Sequence, residues 1–249
     1  MKYGKTPGFI LRSVCAEDLL KKYIGDKKKR FIEIGSGTGD FLEILLRYNY
    51  SGLAVDFSSE AIEYLKRRFK DYKNSLKIIK KDFFLINEKV DIIIMFEVIE
   101  HIKDDTKALK KICSLLNYGG FLLLSTPSKM KNWSYFDIIN GHYRRYEKQE
   151  LIQKIKEAGF SIVEIYSYGW PLLNNLLFVN KFISKIRFGK IKNNDKKYLT
   201  KKSGVSNHKI FYFLKFLINK YVLAPFILLQ NISCKNDRGT GYIVLAKKK

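Results

Sequence analysis

Cysteine is scarce in this 249-residue chain, with only 3: Cys15, Cys113 and Cys234. An odd number, widely spaced and without a C-x-x-C pair, excludes a disulfide framework and a cysteine zinc site. A reducing cytoplasm is the expected compartment. No secretion signal is expected either, because Lys2, Gly4, Lys5 and Pro7 interrupt the stretch that would need an unbroken apolar core. An apolar run of the ~20 residues that cross a bilayer is also missing. The best candidate, Ile210 to Ile232, contains Lys215, Lys220 and a kinking Pro225. No internal repeat is visible. Acidic residues are in short supply, 24 against 47 Lys+Arg, for a formal net charge of +23. Such a surplus points to nucleic acid or an anionic membrane. Its total discriminates poorly, because Lys outnumbers Arg about fourfold and Ile, Asn, Tyr and Phe are also plentiful, as in an AT-rich coding sequence. Its distribution is sharper: from residue 181 onward only Asp195 and Asp237 oppose a dense series of lysines.

What is present is core-forming material. A hydrophobic content of 46% in a chain of this length buries about 70 to 75% of the unfolded surface and excludes intrinsic disorder. From about residue 28 to 167, short apolar runs alternate with amphipathic helical stretches, the pattern of a parallel sheet covered on both faces. The expected strands are Arg30 to Ile34, Gly52 to Val55, Leu76 to Ile79, Val90 to Phe96, Phe121 to Ser125 and Ser161 to Tyr166, with Gly241 to Ala246 as the last. Expected helices are Ile10 to Ile24; one near Asp40; one capped by Ser58, with Ile62, Leu65 and Phe69 inward; one from Asp104 to Gly119-Gly120; and one from Glu147 to Ala158. Residues 168–238 read as a basic, apolar helical insertion before the final strand of a single domain, 1–249. It holds Trp170 to Phe188 and Ile210 to Ile232, with Lys-rich Lys190 to Lys209 between them.

Chemistry concentrates after the first strand, where Glu33-Ile34-Gly35-Ser36-Gly37-Thr38-Gly39-Asp40 places three alternate glycines before a helix. Glycines let backbone approach a ligand, and the first helical turn offers unpaired N–H groups. The spacing is G-x-G-x-G, which weakens a dinucleotide reading built on G-x-G-x-x-G. Asp56 ends the second strand, where a carboxylate at the sheet's carboxyl edge would bind both hydroxyls of a ribose. Asp82 follows the third strand and is placed to accept from an adenine amino group, with Phe83 packing on the ring.

This ordered set, together with Asp91-Ile92-Ile93-Ile94-Met95-Phe96-Glu97-Val98-Ile99-Glu100-His101, resembles the class I S-adenosylmethionine-dependent methyltransferases. The resemblance implies an α/β, Rossmann-like sheet of seven strands with the last antiparallel and helices on both faces. It also implies S-adenosyl-L-methionine across the carboxyl ends of the first strands. Glu33, Gly35, Ser36, Gly37 and Gly39 would cradle its methionine part, Asp56 and Phe57 the ribose, Asp82 and Phe83 the adenine, and Phe96 and Glu97 its reactive side.

Two further motifs bear on the acceptor. Glu97, Glu100 and His101 share one face if the chain turns helical after the fourth strand, and two carboxylates with an imidazole suit a divalent metal. E-x-x-E-H looks like the metal-binding pattern of ubiquinone-biosynthesis O-methyltransferases and of small-RNA 3′-end methyltransferases. Glu-His at this place also occurs in many metal-independent relatives, so a cofactor-edge or structural role stands as the main reading. Before the helix at Glu147, Gly141-His142-Tyr143-Arg144-Arg145-Tyr146 offers His142 as a general base or further metal ligand, and Arg144 and Arg145 as grips for an anionic group. The bland alternative pairs the arginines with neighbouring carbonyls and acids. The basic insertion within 181–249 fits either an anionic membrane surface or a lid over a lipid-like acceptor. RNA is the lesser partner: the aromatics Tyr198, Phe211, Tyr212 and Phe213 interleave with Lys, but Phe96-Glu97-Val98-Ile99 stands where base N-methyltransferases carry an Asn- or Asp-Pro tetrapeptide. The expectation is a cytoplasmic methyltransferase, peripheral on the membrane's inner face if the insertion binds lipid, acting on oxygen of a small or lipid-linked acceptor. A membrane-associated cofactor-binding protein without turnover is the non-enzyme alternative.

Overall fold

The computed structural model describes residues 5–178 and 218–249. The expected Lys-rich stretch Lys190 to Lys209, and the parts of the two apolar stretches between 179 and 217, lie outside the described residues.

Seven strands form one sheet: β1 (Arg30–Ile34), β2 (Ser51–Asp56), β3 (Leu76–Lys80), β4 (Val90–Phe96), β5 (Leu116–Pro127), β6 (Phe160–Tyr168) and β7 (Gly241–Lys248). Their order is β3-β2-β1-β4-β5-β7-β6. β1 pairs in parallel with β2 and β4, whereas β7 runs antiparallel between β5 and β6. The central strands carry continuous apolar runs because both faces are covered. Ile92 and Ile94 join the cluster on one face, and Ile93 and Met95 the cluster on the other, as the period of two requires. Each is fully buried, contributing roughly 1.5 to 3 kcal/mol.

The helices around the sheet are α1 (Pro7–Tyr23), α2 (Leu42–Arg47), α3 (Ser59–Arg68), α4 (Asp105–Leu115), the short α5 (Tyr135–Ile139), α6 (Lys148–Glu157) and α7 (Ala224–Ser233). α1, α2 and α3 feed the cluster of Ile92 and Ile94, while α4 and α6 feed that of Ile93 and Met95. Side-chain caps fix their starts. Thr6 accepts from Phe9 N ahead of Pro7, Ser58 from Ala61 N, and Asp104 from Lys107 N. The helix expected to run to Gly119-Gly120 ends at Leu115 instead, and β5 starts at Leu116, which pairs with Val90. Leu116, inside the expected helix, therefore belongs to the sheet.

The sheet reverses its direction of growth between β1 and β4, which opens a crevice at the carboxyl edge. Because β7 is antiparallel, Gly241 stands at that same edge opposite Pro127 and Tyr168. Residues between β6 and β7 thus leave and re-enter beside the crevice, and among them 172–178 are helical.

Candidate active site

The turn after β1 is shaped by its glycines. Gly35 has φ 73° and Gly39 has φ 73°, a region that disfavours side chains. A Cβ on Gly35 would sit 2.3 Å from Val98 Cγ2, and one on Gly39 would sit 2.5 Å from Leu65 Cδ2. Gly37, at φ 51°, has nothing within 4 Å of its would-be Cβ. Two glycines are therefore demanded by packing, and the middle one faces open space. Asp56 ties this turn to β2: its Oδ2 accepts from Gly37 N at 2.9 Å and its Oδ1 from Ser58 N at 2.8 Å. Burial raises the pKa of Asp56, opposed by these amides. A carboxylate oxygen carries two lone pairs, so these two bonds leave Asp56 capacity to accept further donors. Exposed Phe57 follows it.

Buried polar atoms without partners mark the rest of the site. Among the described residues these are Arg12 Nε, Glu33 Oε2, Glu100 Oε1, His101 Nδ1 and Asn174 Oδ1. Such orphans are costly and rare in native interiors. Arg12, Glu33, Glu100 and His101 belong to or face the ends of β1 and β4. Glu33 is pushed up to about 8, first by burial and then by Asp40. A ligand with donors or positive charge would satisfy its free oxygen. Cradle and orphaned carboxylate together fit the methionine part and ribose of S-adenosyl-L-methionine.

After β4 the expected helical face does not form. Glu97 adopts φ 54° and only Ile99–His101 makes a helical turn, of the 3-10 type. Glu97 is consequently held by other partners: its Oε1 lies 3.3 Å from Arg12 Nη1 and accepts from Tyr168 Oη at 2.9 Å and Ser125 Oγ at 2.8 Å. Burial opposes the charge of Arg12, but Glu97 beside it prevails and holds the guanidinium protonated. The guanidinium also stands 5.2 Å from the Phe96 ring centroid.

Glu100 and His101 meet His142 instead, and one ligand atom from each of the three lies within 4.8 Å of the others. The His101 and His142 rings pack edge to face with centroids 4.6 Å apart. Glu100 is fully buried, with Thr126 Oγ1 donating to its Oε2 at 3.3 Å. Burial, then Glu97, pushes Glu100 well above the usual carboxylate range. Burial, then His142, pushes His101 down to about 4, so it is neutral at pH 7. A carboxylate and two imidazoles with orphaned atoms match in type a divalent cation or an acceptor hydroxyl. Glu97 is not part of that set.

The G-H-x-R-R-Y segment is anchored by buried carboxylates. His142 Nδ1 is 2.9 Å from Asp137 Oδ1, and Arg145 Nε donates to the same oxygen at 2.8 Å. Burial would raise Asp137, but the hydrogen bonds from His142 and Arg145 hold it below the usual carboxylate range. Arg144 Nη1 donates to Asp105 Oδ2 at 2.7 Å, and Tyr146 Oη to the same atom at 2.8 Å. Both arginines proposed as substrate grips are therefore engaged with protein acids, the arrangement of the bland alternative. Phe83 also departs from expectation: it is buried in the core against Phe84, with centroids 4.3 Å apart. Asp82 caps the following turn through Phe84 N at 3.0 Å.

Arg12, Tyr168 and Asp137 were not singled out by sequence. Arg12 carried a readable signal, a lone charge among Phe9, Ile10, Leu11 and Val14 on a helix. Asp137 and Tyr168 carried none.

A model of a family described as a methyltransferase domain matches residues 11–165, more than half of the chain. The ubiquinone biosynthesis O-methyltransferase of Pelagibacter ubique is 27% identical over 166 residues, covering 60% of this chain and 68% of that protein. A probable S-adenosylmethionine-dependent methyltransferase of Mycobacterium tuberculosis is 26% identical over 131 residues, 52% of this chain and 47% of the relative, so the match spans about half of that protein. Among solved structures, an S-adenosylmethionine-dependent methyltransferase from Archaeoglobus fulgidus superposes with TM-score 0.53 at 18% identity, covering 95% of this chain and 94% of that one. The magnesium protoporphyrin IX methyltransferase of Synechocystis, solved with S-adenosylhomocysteine, gives TM-score 0.55 at 16% identity over 64% and 76% of the two chains. These structural likenesses bear on the fold. Sheet order, cofactor cradle and family match converge on one conclusion: the chain belongs to the methyltransferase-domain family and is an S-adenosyl-L-methionine-dependent methyltransferase.

Proposed function

We propose that the enzyme methylates an oxygen of a small-molecule or lipid-linked acceptor at the Glu100–His101–His142 cluster. The observation that carries this reading is the convergence of those three side chains within 4.8 Å, beside the end of β4 and with atoms of Glu100 and His101 unpartnered. The ubiquinone O-methyltransferase relative supports an oxygen acceptor. The bound cofactor supplies an electrophilic methyl group on a sulfonium centre. What the chain adds is mainly positioning, an effect of up to about 7 to 11 kcal/mol in favourable cases. In this reading the Gly35–Gly39 turn and Glu33 hold the methionine part, Asp56 the ribose hydroxyls, and Asp82 the adenine edge. Arg12 and Glu97, paired across the mouth of β4, border the reactive side. His142 takes the acceptor's hydroxyl proton through its ring nitrogen, with neutral His101 and Glu100 beside it.

A second reading is favoured by the same donor set. Glu100, His101 and His142 would hold a divalent cation, which would lower the pKa of an acceptor hydroxyl. Dialysis against a chelator separates the two: unchanged turnover dismisses the metal.

We read 168–238 as an insertion on the acceptor side within a single domain. α7 turns polar Gln230 and Ser233 inward and leaves Leu228, Leu229 and Ile232 exposed. Those exposed apolar side chains support peripheral contact with a membrane surface, while Lys220 and Lys235 nearby are paired with Glu17 and Glu164. No helix of the described residues is long and apolar enough to cross a membrane. The test is to incubate the full chain with methyl-labelled cofactor and a host membrane extract. Label entering the organic fraction supports the reading, and label entering nucleic acid replaces it with RNA methylation.

A further inference from the structure

Asp137 is completely buried, and its two carboxylate oxygens serve different neighbours. Oδ2 accepts from Ser134 N at 2.8 Å and Ser134 Oγ at 3.1 Å, the capping box that starts α5. Oδ1 faces the other way and meets His142 Nδ1 at 2.9 Å and Arg145 Nε at 2.8 Å. The backbone repeats the link, since His142 N donates to Asp137 O at 2.9 Å. Tyr143 N then donates to Glu100 O at 2.8 Å, clamping the loop onto the turn that carries Glu100 and His101.

A carboxylate that already accepts from an arginine has only lone pairs to offer an imidazole. The hydrogen between Oδ1 and Nδ1 must therefore reside on the ring. That leaves the lone pair of the neutral imidazole on Nε2, the nitrogen turned from Asp137. Arg145 secures the arrangement by sharing Oδ1.

We infer that Asp137 is a positioning residue: it fixes His142 as the Nδ1–H tautomer and aims Nε2 at Glu100 and His101. Buried outer partners play this part for histidines that ligate metals or accept protons. The inference rests on the reading of the Glu100–His101–His142 cluster as the acceptor site, and it holds for the base and the cation alike, since both need the Nε2 lone pair. Nothing in the sequence around His142 announces it, because the carboxylate sits five positions upstream in a different element.

The test reads the tautomer, so it needs no acceptor. The chain has only 3 histidines, His101, His142 and His208. Long-range nitrogen–proton spectra of the full-length, 15N-labelled protein at pH 8, above the usual imidazole titration near 6.5, resolve each ring's tautomer, and His142→Ala assigns the signal. The wild type is expected to show His142 with protonated Nδ1 and unprotonated Nε2. Asp137→Ala is expected to reverse the majority tautomer while S-adenosylmethionine affinity, by calorimetry, stays within about twofold. Ser134→Ala, which removes only the helix cap, is expected to leave the tautomer unchanged. A wild-type His142 protonated on Nε2 overturns the inference, as does an Asp137→Ala spectrum identical to wild type. Should Asp137→Ala fail to fold, the wild-type spectrum carries the decision alone: Nδ1–H on His142 supports the inference and Nε2–H overturns it. Full turnover in His142→Ala would sink the acceptor-site reading alone, leaving the tautomer result to judge Asp137 separately.

Discussion

The two halves of the crevice are built from different materials. At β1 and β2 the site is backbone: a turn whose glycines meet side chains at 2.3 Å and 2.5 Å if given a Cβ, and an Asp56 bound by two amides. At β4 and β5 it is side chain, with Arg12 on Glu97, Thr126 on Glu100 and Asp137 on His142, all drawn from separate elements. A backbone-built half constrains shape and tolerates few substitutions at its glycines. On the proposed reading the side-chain half sets the acceptor chemistry, because its protonation states follow from burial and neighbours rather than from the turn.

The largest expected effect breaks the side-chain half alone. His142→Ala should lower turnover by roughly 10²- to 10⁴-fold, the usual worth of general acid–base catalysis, while calorimetric affinity for S-adenosylmethionine stays near wild type. Full turnover in that variant would return His142 to a packing role.

On the backbone half, Gly35→Ala forces a Cβ into Val98 at a φ of 73°. Strain and overpacking together should cost about 3 to 5 kcal/mol, read as a fall of roughly 10 °C or more in Tm. Gly37→Ala sharpens the contrast. Its Cβ meets no protein atom within 4 Å, so a stability loss of about 1 kcal/mol is expected, whereas cofactor affinity should fall at least tenfold.

Glu33 joins the halves through pH. Its pKa in the folded protein is about 8 against an ordinary 4.5. A carboxyl raised in this way contributes stability that is complete below 4.5 and declines as pH rises toward 8. Glu33→Gln should therefore stabilise the cofactor-free protein at pH 7, by about 3 kcal/mol at most, and weaken cofactor binding. Thermal scans between pH 5 and 8 check the sign, since the gap between variant and wild type should widen with pH. The smallest effect is expected from Tyr168→Phe, which removes one hydrogen bond to Glu97 at a cost of about 1 kcal/mol.

The backbone half was legible in sequence because its determinants are local: alternate glycines after an apolar strand, and an acid ending the next one. The alternating apolar runs likewise gave the strand positions, since burial on both faces leaves little choice of residue. The side-chain half was less legible because its pairs are distant, Arg12 with Glu97 and Tyr168 above all. The E-x-x-E-H spacing suggested a helical face, but Glu97 at φ 54° breaks it, and tertiary pairing to Arg12 decides where that carboxylate goes. The sequence offers Arg144 and Arg145 as grips, whereas in the structure buried Asp105 and Asp137 engage them. Phe83 shows the same limit, since nothing local distinguishes a core ring from a ligand-facing one.

The most direct measurement is a calorimetric titration of S-adenosylmethionine into the full chain and into Gly37→Ala, with Tm recorded for both. The account predicts one cofactor bound per wild-type chain, and binding lost in a variant that melts within a few degrees of wild type. Equal affinity in the two proteins would mean that the open space over Gly37 is not where the cofactor lies, and would contradict it.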